Sequence, residues 1–300
     1  MRLLRLTNQV LGRVAPGAVG ERARQIFMRP RPGRASSLPE AERLVLASGL
    51  VAWRRSPRVA PKGRVLALHG WESRAAHLRG LIGPLVDAGA EVVALDAPAH
   101  GDSPGREAHP VAFAQALHAA AAALGPFDAA FGHSMGGGAL LLALAEGLPV
   151  ARAAVLGAPS SIDGVLHRFA GFIGLPGRAE RAFVETVERT VGRRPAEVSA
   201  SVLAPRVHQP VLVVHDENDL EVPFSDAEEL VRVLSSASLV ATRGLGHRRL
   251  LKDAAVAQAI VHFFIDGAGS RRHDSDEQGV PLAPSEPKAE PLPPRPETLG

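Results

Sequence analysis

Apolar positions along the chain fall into short, nearly continuous runs set between longer segments with helical spacing. The runs are RVLALHG (64–70), EVVALDAP (91–98), FDAAFGHS (127–134), ARAAVLGAP (151–159), PVLVVHDEND (210–219) and SLVATRG (238–244). Continuous rather than alternating apolar character is expected of strands covered on both faces. Residues 74–88, 110–124, 135–147, 225–234 and 248–265 read as helices between and after them. Residues 43–55 have β-like content interrupted by Gly49, which predicts a hairpin. Strand after strand with a helix between each pair implies right-handed crossovers and a mainly parallel sheet with helices on both faces. One segment breaks the alternation. Residues 160–208 look helical and read as a small cap insertion over the strand ends.

Length allows one large α/β domain or two small ones. The chain has 300 residues, 46% of them apolar, but aromatics make up only 4% and there is no tyrosine. The core must therefore be built from Leu, Val and Ala. Without cysteine there is no disulfide, thiolate metal site or cysteine nucleophile. No run approaches the ~18 apolar residues of a membrane span. The first residues lack an apolar core of signal-peptide length. The expectation is a cytoplasmic protein.

Charge divides the chain into three parts. Residues 1–63 carry 13 Arg and Lys against 3 acids, residues 64–266 carry 17 against 22, and residues 267–300 carry 4 against 6. The predicted layout is a basic, partly helical N-terminal extension (1–42), a folded body (43–266) and a disordered Pro-rich tail (267–300). Residues 29–39 resemble a linker in composition. The extension has no stacking aromatics and no nucleic-acid motif, so no nucleic-acid partner is expected. Leu3, Leu6, Val10 and Val14 recur at helical spacing beside Arg2, Arg5 and Arg13. That pattern fits a weak peripheral membrane contact through residues 1–28. The preferred reading is a helix lying on its own domain.

Ligands of such sheets bind outside the carboxyl ends of the strands. There the sequence places His69-Gly70, Asp96, Ser134 and Asp216 to Asp219, with His247 in the loop before the last helix. The stretch FGHSMGGG (131–138) lacks the lysine and the glycine spacing of a phosphate cradle. Gly132-His133-Ser134-Met135-Gly136 instead satisfies G-x-S-x-G between a strand and a helix, where a serine stands on a sharp, strained turn. A serine hydroxyl needs a base within hydrogen-bond reach and a third group to orient that base. Later strand ends supply both, in the order Ser134, an acid at Asp216 or Asp219, and His247.

Taken together, LALHGW (66–71), DAPAHGDSPG (96–105), GHSMGG (132–137), and HDENDLEVP (215–223) with GLGH (244–247) resemble the α/β-hydrolase-fold serine hydrolases. The similarity spans about residues 43–266. It implies Ser134 as nucleophile, His247 as general base and then acid, and Asp219 rather than Asp216 as the orienting acid. It also implies oxyanion donors at the backbone N–H groups of Trp71 and Met135. The implied reaction takes a small-molecule acyl substrate, an ester above all, and needs no cofactor. A peptidase, amidase or thioesterase could use the same groups, and a ligand-binding member of the fold could have abandoned catalysis. Ala99 stands where the family's D-x-P-G-H-G-x-S loop has glycine.

Other residues draw blander readings. The spacing of His69, His100 and His133 is not that of zinc ligands, so each is expected to be a loop histidine packed beneath the site and no metal is expected. Glu72 and Asp102 could line the pocket mouth and repel anions, but a solvated role is preferred. Phe169, Phe172, Ile173 and Leu175 fit an acyl pocket and a small cap's own core equally well.

Overall fold

The computed structural model describes residues 2–31 and 37–265. The expected tail at 267–300 and the middle of the expected linker lie outside the described residues. Among those described, eight strands form one sheet. They are β1 (Glu42–Val45), β2 (Val51–Arg55), β3 (Gly63–Leu68), β4 (Ala90–Leu95), β5 (Ala129–His133), β6 (Arg152–Leu156), β7 (Val211–Asp216) and β8 (Ala237–Thr242). The spatial order is β1-β2-β4-β3-β5-β6-β7-β8. β1 and β2 form the expected hairpin, with Gly49 at φ +83, and β2 runs antiparallel to β4. Every other pairing is parallel.

The helices are α1 (Arg2–Val14), α2 (Pro16–Met28), α3 (Arg79–Asp87), α4 (Pro110–Leu124), α5 (Met135–Ala145), α6 (Ile162–Ile173), α7 (Gly177–Val191), α8 (Ala200–Leu203), α9 (Phe224–Val233), α10 (Gly246–Arg249) and α11 (Ala254–Phe264). Alternate strand residues feed opposite layers, as the pleat requires. Leu66 and Leu68 of β3 pack with α4, α5 and α9, whereas Val65 and Ala67 pack with α3 and α11. Two helices expected as single pieces are broken. Residues 75–78 form a 3-10 turn ahead of α3. The segment expected as one helix at 248–265 divides into α10, a 3-10 turn and α11. The break is chemical: Asp253 is extended and its Oδ1 accepts from the Val256 N–H at 3.0 Å, capping α11 afresh.

The 160–208 segment supplies α6, α7 and α8. A third apolar cluster joins Leu166, Ala170, Ile173, Ala179 and Phe183 of this segment to Val19 and Ala23 of α2. α2 lies along α7 so closely that a Cβ on Gly20 would fall 2.7 Å from the Phe183 nitrogen. The N-terminal helices are thus a structural part of the cap. The Met28 carbonyl accepts from the Ala108 N–H at 2.8 Å, and Arg24 bonds Glu107, which ties α2 to the body as well.

Candidate active site

Ser134 stands between β5 and α5 with φ 54 and ψ −124, outside the regions L-residues favour. Such backbone costs about 1–3 kcal/mol and persists only where its surroundings over-determine it. Here they do. The Ser134 N–H donates to the Leu156 carbonyl at 2.8 Å, and the Ser134 carbonyl accepts from Gly137 and Gly138. A Cβ on Gly132 would lie 2.4 Å from the Gly136 carbonyl, and one on Gly136 would lie 2.3 Å from that of His69. The glycines flanking the serine are therefore close-approach positions. Gly70 is another, since a Cβ there would meet the Ser134 Cβ at 2.8 Å.

His247 is the second residue of the short turn α10, and its Nδ1–H donates to Asp219 Oδ2 at 2.7 Å. Both side chains are nearly inaccessible. Asp219 Oδ1 accepts from the N–H groups of Glu221 and Val222 at 2.8 and 3.0 Å. Burial alone would raise the Asp219 carboxyl, but the hydrogen bond from His247 and these two amides outweigh it and hold the group below its usual range. Asp216 does different work. Its Oδ2 accepts from Thr242 Oγ1 and the Leu245 N–H at 2.8 and 2.9 Å, and its Oδ1 accepts from the Asn218 N–H. Burial opposes ionisation there too, yet hydrogen bonding, led by the Gly246 amide, brings it down to about 2. Asp219 touches the imidazole; Asp216 fixes the loop that carries it.

Four buried histidines brace these loops. His69 donates from Nδ1 to the Gly70 carbonyl at 2.7 Å and accepts at Nε2 from the Ala97 N–H at 3.0 Å. Burial, then the neighbouring His100, lowers it to about 3, so it is neutral. His100 accepts at Nε2 from the Glu72 N–H at 3.1 Å, which fixes the loop after Trp71. His133 donates from Nε2 to the His247 carbonyl at 3.0 Å, and His215 donates likewise to the Val222 carbonyl. Burial, then proximity to His247, takes His133 to about 3. His133 therefore stands neutral with its ring centroid 4.7 Å from that of His247.

Met135 is the first residue of α5, where N–H groups have no intrahelical acceptor. Trp71 follows the Gly70 turn and lines the same cleft as Ser134 and His247. Glu72 and Asp102 keep part of their surface in solvent, as expected, and each is paired there: Glu72 takes a two-pronged hydrogen bond from Arg31, and Asp102 accepts from Arg43 at 3.0 Å. The aromatic group divides. Phe169 and Phe172 line the cleft, whereas Ile173 and Leu175 are buried in the cap.

Two contributors escape sequence reasoning. Gly157, after β6 at φ +53, would place a Cβ 3.2 Å from His247 Nδ1; its signal is the G-A-P at that strand end. Phe27 of α2 packs against Trp71, Phe169 and Phe183 with ring centroids 6.4, 5.0 and 5.6 Å apart. Nothing in the sequence links residue 27 to residue 71.

The sheet order, the strained serine between strand and helix, and the later acid and histidine define the class: the chain has the α/β-hydrolase fold and is similar in its motifs to the serine hydrolases of that fold. More particularly, a family model described as serine aminopeptidase, S33, matches residues 59–174, and one described as TAP-like protein matches residues 187–276. No curated protein matches the sequence. Solved structures share the fold at low identity. An esterase from Pyrococcus furiosus is 18% identical with TM-score 0.58, over 81% of this chain and 96% of that one. A meta-cleavage product hydrolase from Pseudomonas fluorescens is 16% identical with TM-score 0.57, over 76% and 99%. An esterase from Exiguobacterium antarcticum is 15% identical with TM-score 0.56, over 74% and 98%.

Proposed function

We propose that the chain is a serine hydrolase of esters or related acyl bonds, working through an acyl-enzyme at Ser134. The observation that carries this reading is the buried Asp219–His247 pair at 2.7 Å, opening on the cleft that the strained Ser134 also lines. Ser134 Oγ attacks the carbonyl carbon while His247 Nε2 takes its proton. The amides of Trp71 and Met135 receive the developing oxyanion, each worth roughly 3 kcal/mol to the barrier. His247 then protonates the leaving atom. Water, deprotonated by His247, hydrolyses the acyl-enzyme to the acid and frees Ser134. Asp219 keeps the imidazole in the tautomer with Nδ1 protonated.

Ser134→Ala is expected to lower kcat for short p-nitrophenyl esters by more than ~10³-fold and to abolish labelling by a fluorophosphonate. Wild-type turnover in the variant would rule the mechanism out. A panel of esters, thioesters and aminoacyl amides then ranks the bond types.

A second reading concerns α1. Its inward side is small and polar: Asn8 donates to the Ile173 carbonyl at 2.8 Å, and a Cβ on Gly12 would meet the Pro176 ring at 2.6 Å. Its aliphatic side faces out, with Leu6 59%, Val10 61% and Val14 81% exposed. α1 carries no acid, and Arg5 and Arg13 accompany the stripe. Aliphatic side chains with cations alone suit an anionic lipid surface better than a second copy of the same basic helix. No helix among the described residues is long and apolar enough to cross a membrane. The full chain should float with vesicles containing phosphatidylserine, and Leu6→Glu with Val10→Glu should abolish this. Equal recovery of the two proteins would end the idea.

A further inference from the structure

Ser134 lies where two unlike chambers meet. The larger, about 1210 Å³, runs under the cap and is lined by Ile26 and Phe27 of α2, Ile162, Phe169 and Phe172 of α6, and Val222; its arginines Arg29, Arg31 and Arg168 are held by Glu107, Glu72 and Asp226. The smaller, about 540 Å³, lies on the other side of Trp71 and is lined by Arg74, His77, Arg79, Arg248 and Lys252. Trp71, Glu72, Ser134, Glu221, His247 and Arg248 line both.

The charge of the smaller chamber is lopsided. Its acids already have partners: Glu72 is held by Arg31, and Glu221 accepts from Arg248 at 3.0 Å. Arg79 and Lys252 form no ion pair with any described residue, and Arg74 adds a further positive charge. Their joint field reaches His77, which is lowered first by burial and then by Arg74, Arg248, Arg79 and Lys252. The wall is also fixed in place. α3 approaches the Leu251 carbonyl so closely that a Cβ on Gly80 would lie 2.3 Å from it, which sets Arg79 beside Lys252.

Resting on the hydrolase reading above, we propose that the substrate joins an apolar acyl chain to a leaving group that carries a carboxylate or phosphate. The acyl chain occupies the larger chamber, and the anion lies among Arg79, Lys252 and Arg74. The orientation follows from the linings: the apolar chain takes the side of Ile26, Phe27, Phe169 and Phe172, which leaves the side of Arg79 and Lys252 to the leaving group, and His247, which lines both, can protonate the leaving oxygen or sulfur from Nε2. Ser134 Oγ forms the new bond to the acyl carbon, the bond from that carbon to the leaving atom breaks, and water later returns the acid. A cationic amino terminus would meet the same field as repulsion, since Glu72 and Glu221, the acids of that lining, already hold arginines.

The test compares esters that differ only in leaving-group charge: the 4-acyloxybenzoate and its methyl ester, each with C4 and C12 chains, and the matching 4-acyloxyphenyl phosphate. The anionic members should have kcat/KM at least ~10-fold above the neutral one, falling with added salt. Lengthening the chain should raise kcat/KM by up to ~4-fold per buried methylene. Arg79→Ala with Lys252→Ala should bring the anionic-to-neutral ratio toward one, and Arg79→Glu with Lys252→Glu should invert it. That ratio is insensitive to a general loss of activity, and both side chains are exposed, so folding is spared. Benzoate against phosphate identifies the anion. Binding of the same esters to Ser134→Ala by calorimetry separates the two readings: selective binding without turnover by wild type would sink the hydrolase reading alone. Equal treatment of charged and neutral esters, or a ratio unmoved in the double variants, would overturn the inference.

Discussion

At the scale of single residues, the two candidate acids are separated by what each touches. Asp219 takes one hydrogen bond from His247 and two from backbone amides, whereas Asp216 holds Thr242 and the Leu245 amide. Asp219→Asn is expected to lower kcat by roughly 10³–10⁴-fold with little change in melting temperature, because it presents the wrong tautomer to the imidazole. Asp216→Asn should do the reverse in emphasis. It leaves buried donors poorly matched and should cost about 1–3 kcal/mol of stability. Steady-state kinetics beside thermal melts distinguish them; matched behaviour of the two variants would contradict this division. The motif pattern pointed to Asp219 through D-x-x-V-P, but both aspartates lie within four residues of a strand end. Only the fold of the 216–223 turn decides which reaches residue 247. Ala99 shows the same limit. It replaces a glycine of the usual motif, and the structure finds it at φ 62, in the region that favours glycine.

At the scale of elements, the N-terminal helices lie on their own domain, as the preferred reading of the sequence expects. What their basic, weakly apolar sequence does not show is that they complete the cap. In the structure α2 gives Val19 and Ala23 to the cap's core and Phe27 to the cleft. The 160–208 helices have too few large apolar residues to bury a core alone, so α2 completes it. Gly20 makes the close crossing with α7 feasible. Gly20→Val should push the helices apart and cost about 1–3 kcal/mol. Long-chain esters should then lose more kcat/KM than short ones, because Phe27 moves and the buried Ser134 turn does not. Equal losses for C4 and C12 substrates would detach α2 from the pocket. Helix breaks were also hard to read: 248–265 has one continuous helical pattern, and only the extended Asp253 restarts it.

At the scale of the whole molecule, several histidines are held below their usual range. Buried His69 and His133 are lowered to about 3, and His100 and the more accessible His109 and His77 are lowered as well, in each case first by desolvation. In the unfolded chain they would titrate near 6.5. Between about pH 6.5 and 3 the unfolded state therefore binds more protons, and stability falls as pH falls through that window. His167, raised by the hydrogen bond it donates to Glu180, opposes this with one exposed group. The melting temperature is expected to drop already between pH 6.5 and 4.5, before carboxylates with lowered pKa such as Asp216 begin to protonate. A flat melting temperature across that interval would mean that these histidines accept protons while folded.

The sequence by itself determined the strand and helix order, the parallel sheet, the serine turn, and which residue types gather at the carboxyl edge. These depend on local periodicity, turn chemistry and spacing along the chain, all of which one strand of text contains. The tertiary structure alone decided which aspartate meets His247, which buried histidines grip the loops around Ser134 and His247, and that residues 16–28 wall the cleft. It also decided that Glu72 and Asp102 are answered by Arg31 and Arg43. Those outcomes depend on contacts between residues dozens to more than a hundred positions apart. Burial and charge pairing set them, and neither exists until the chain has closed on itself.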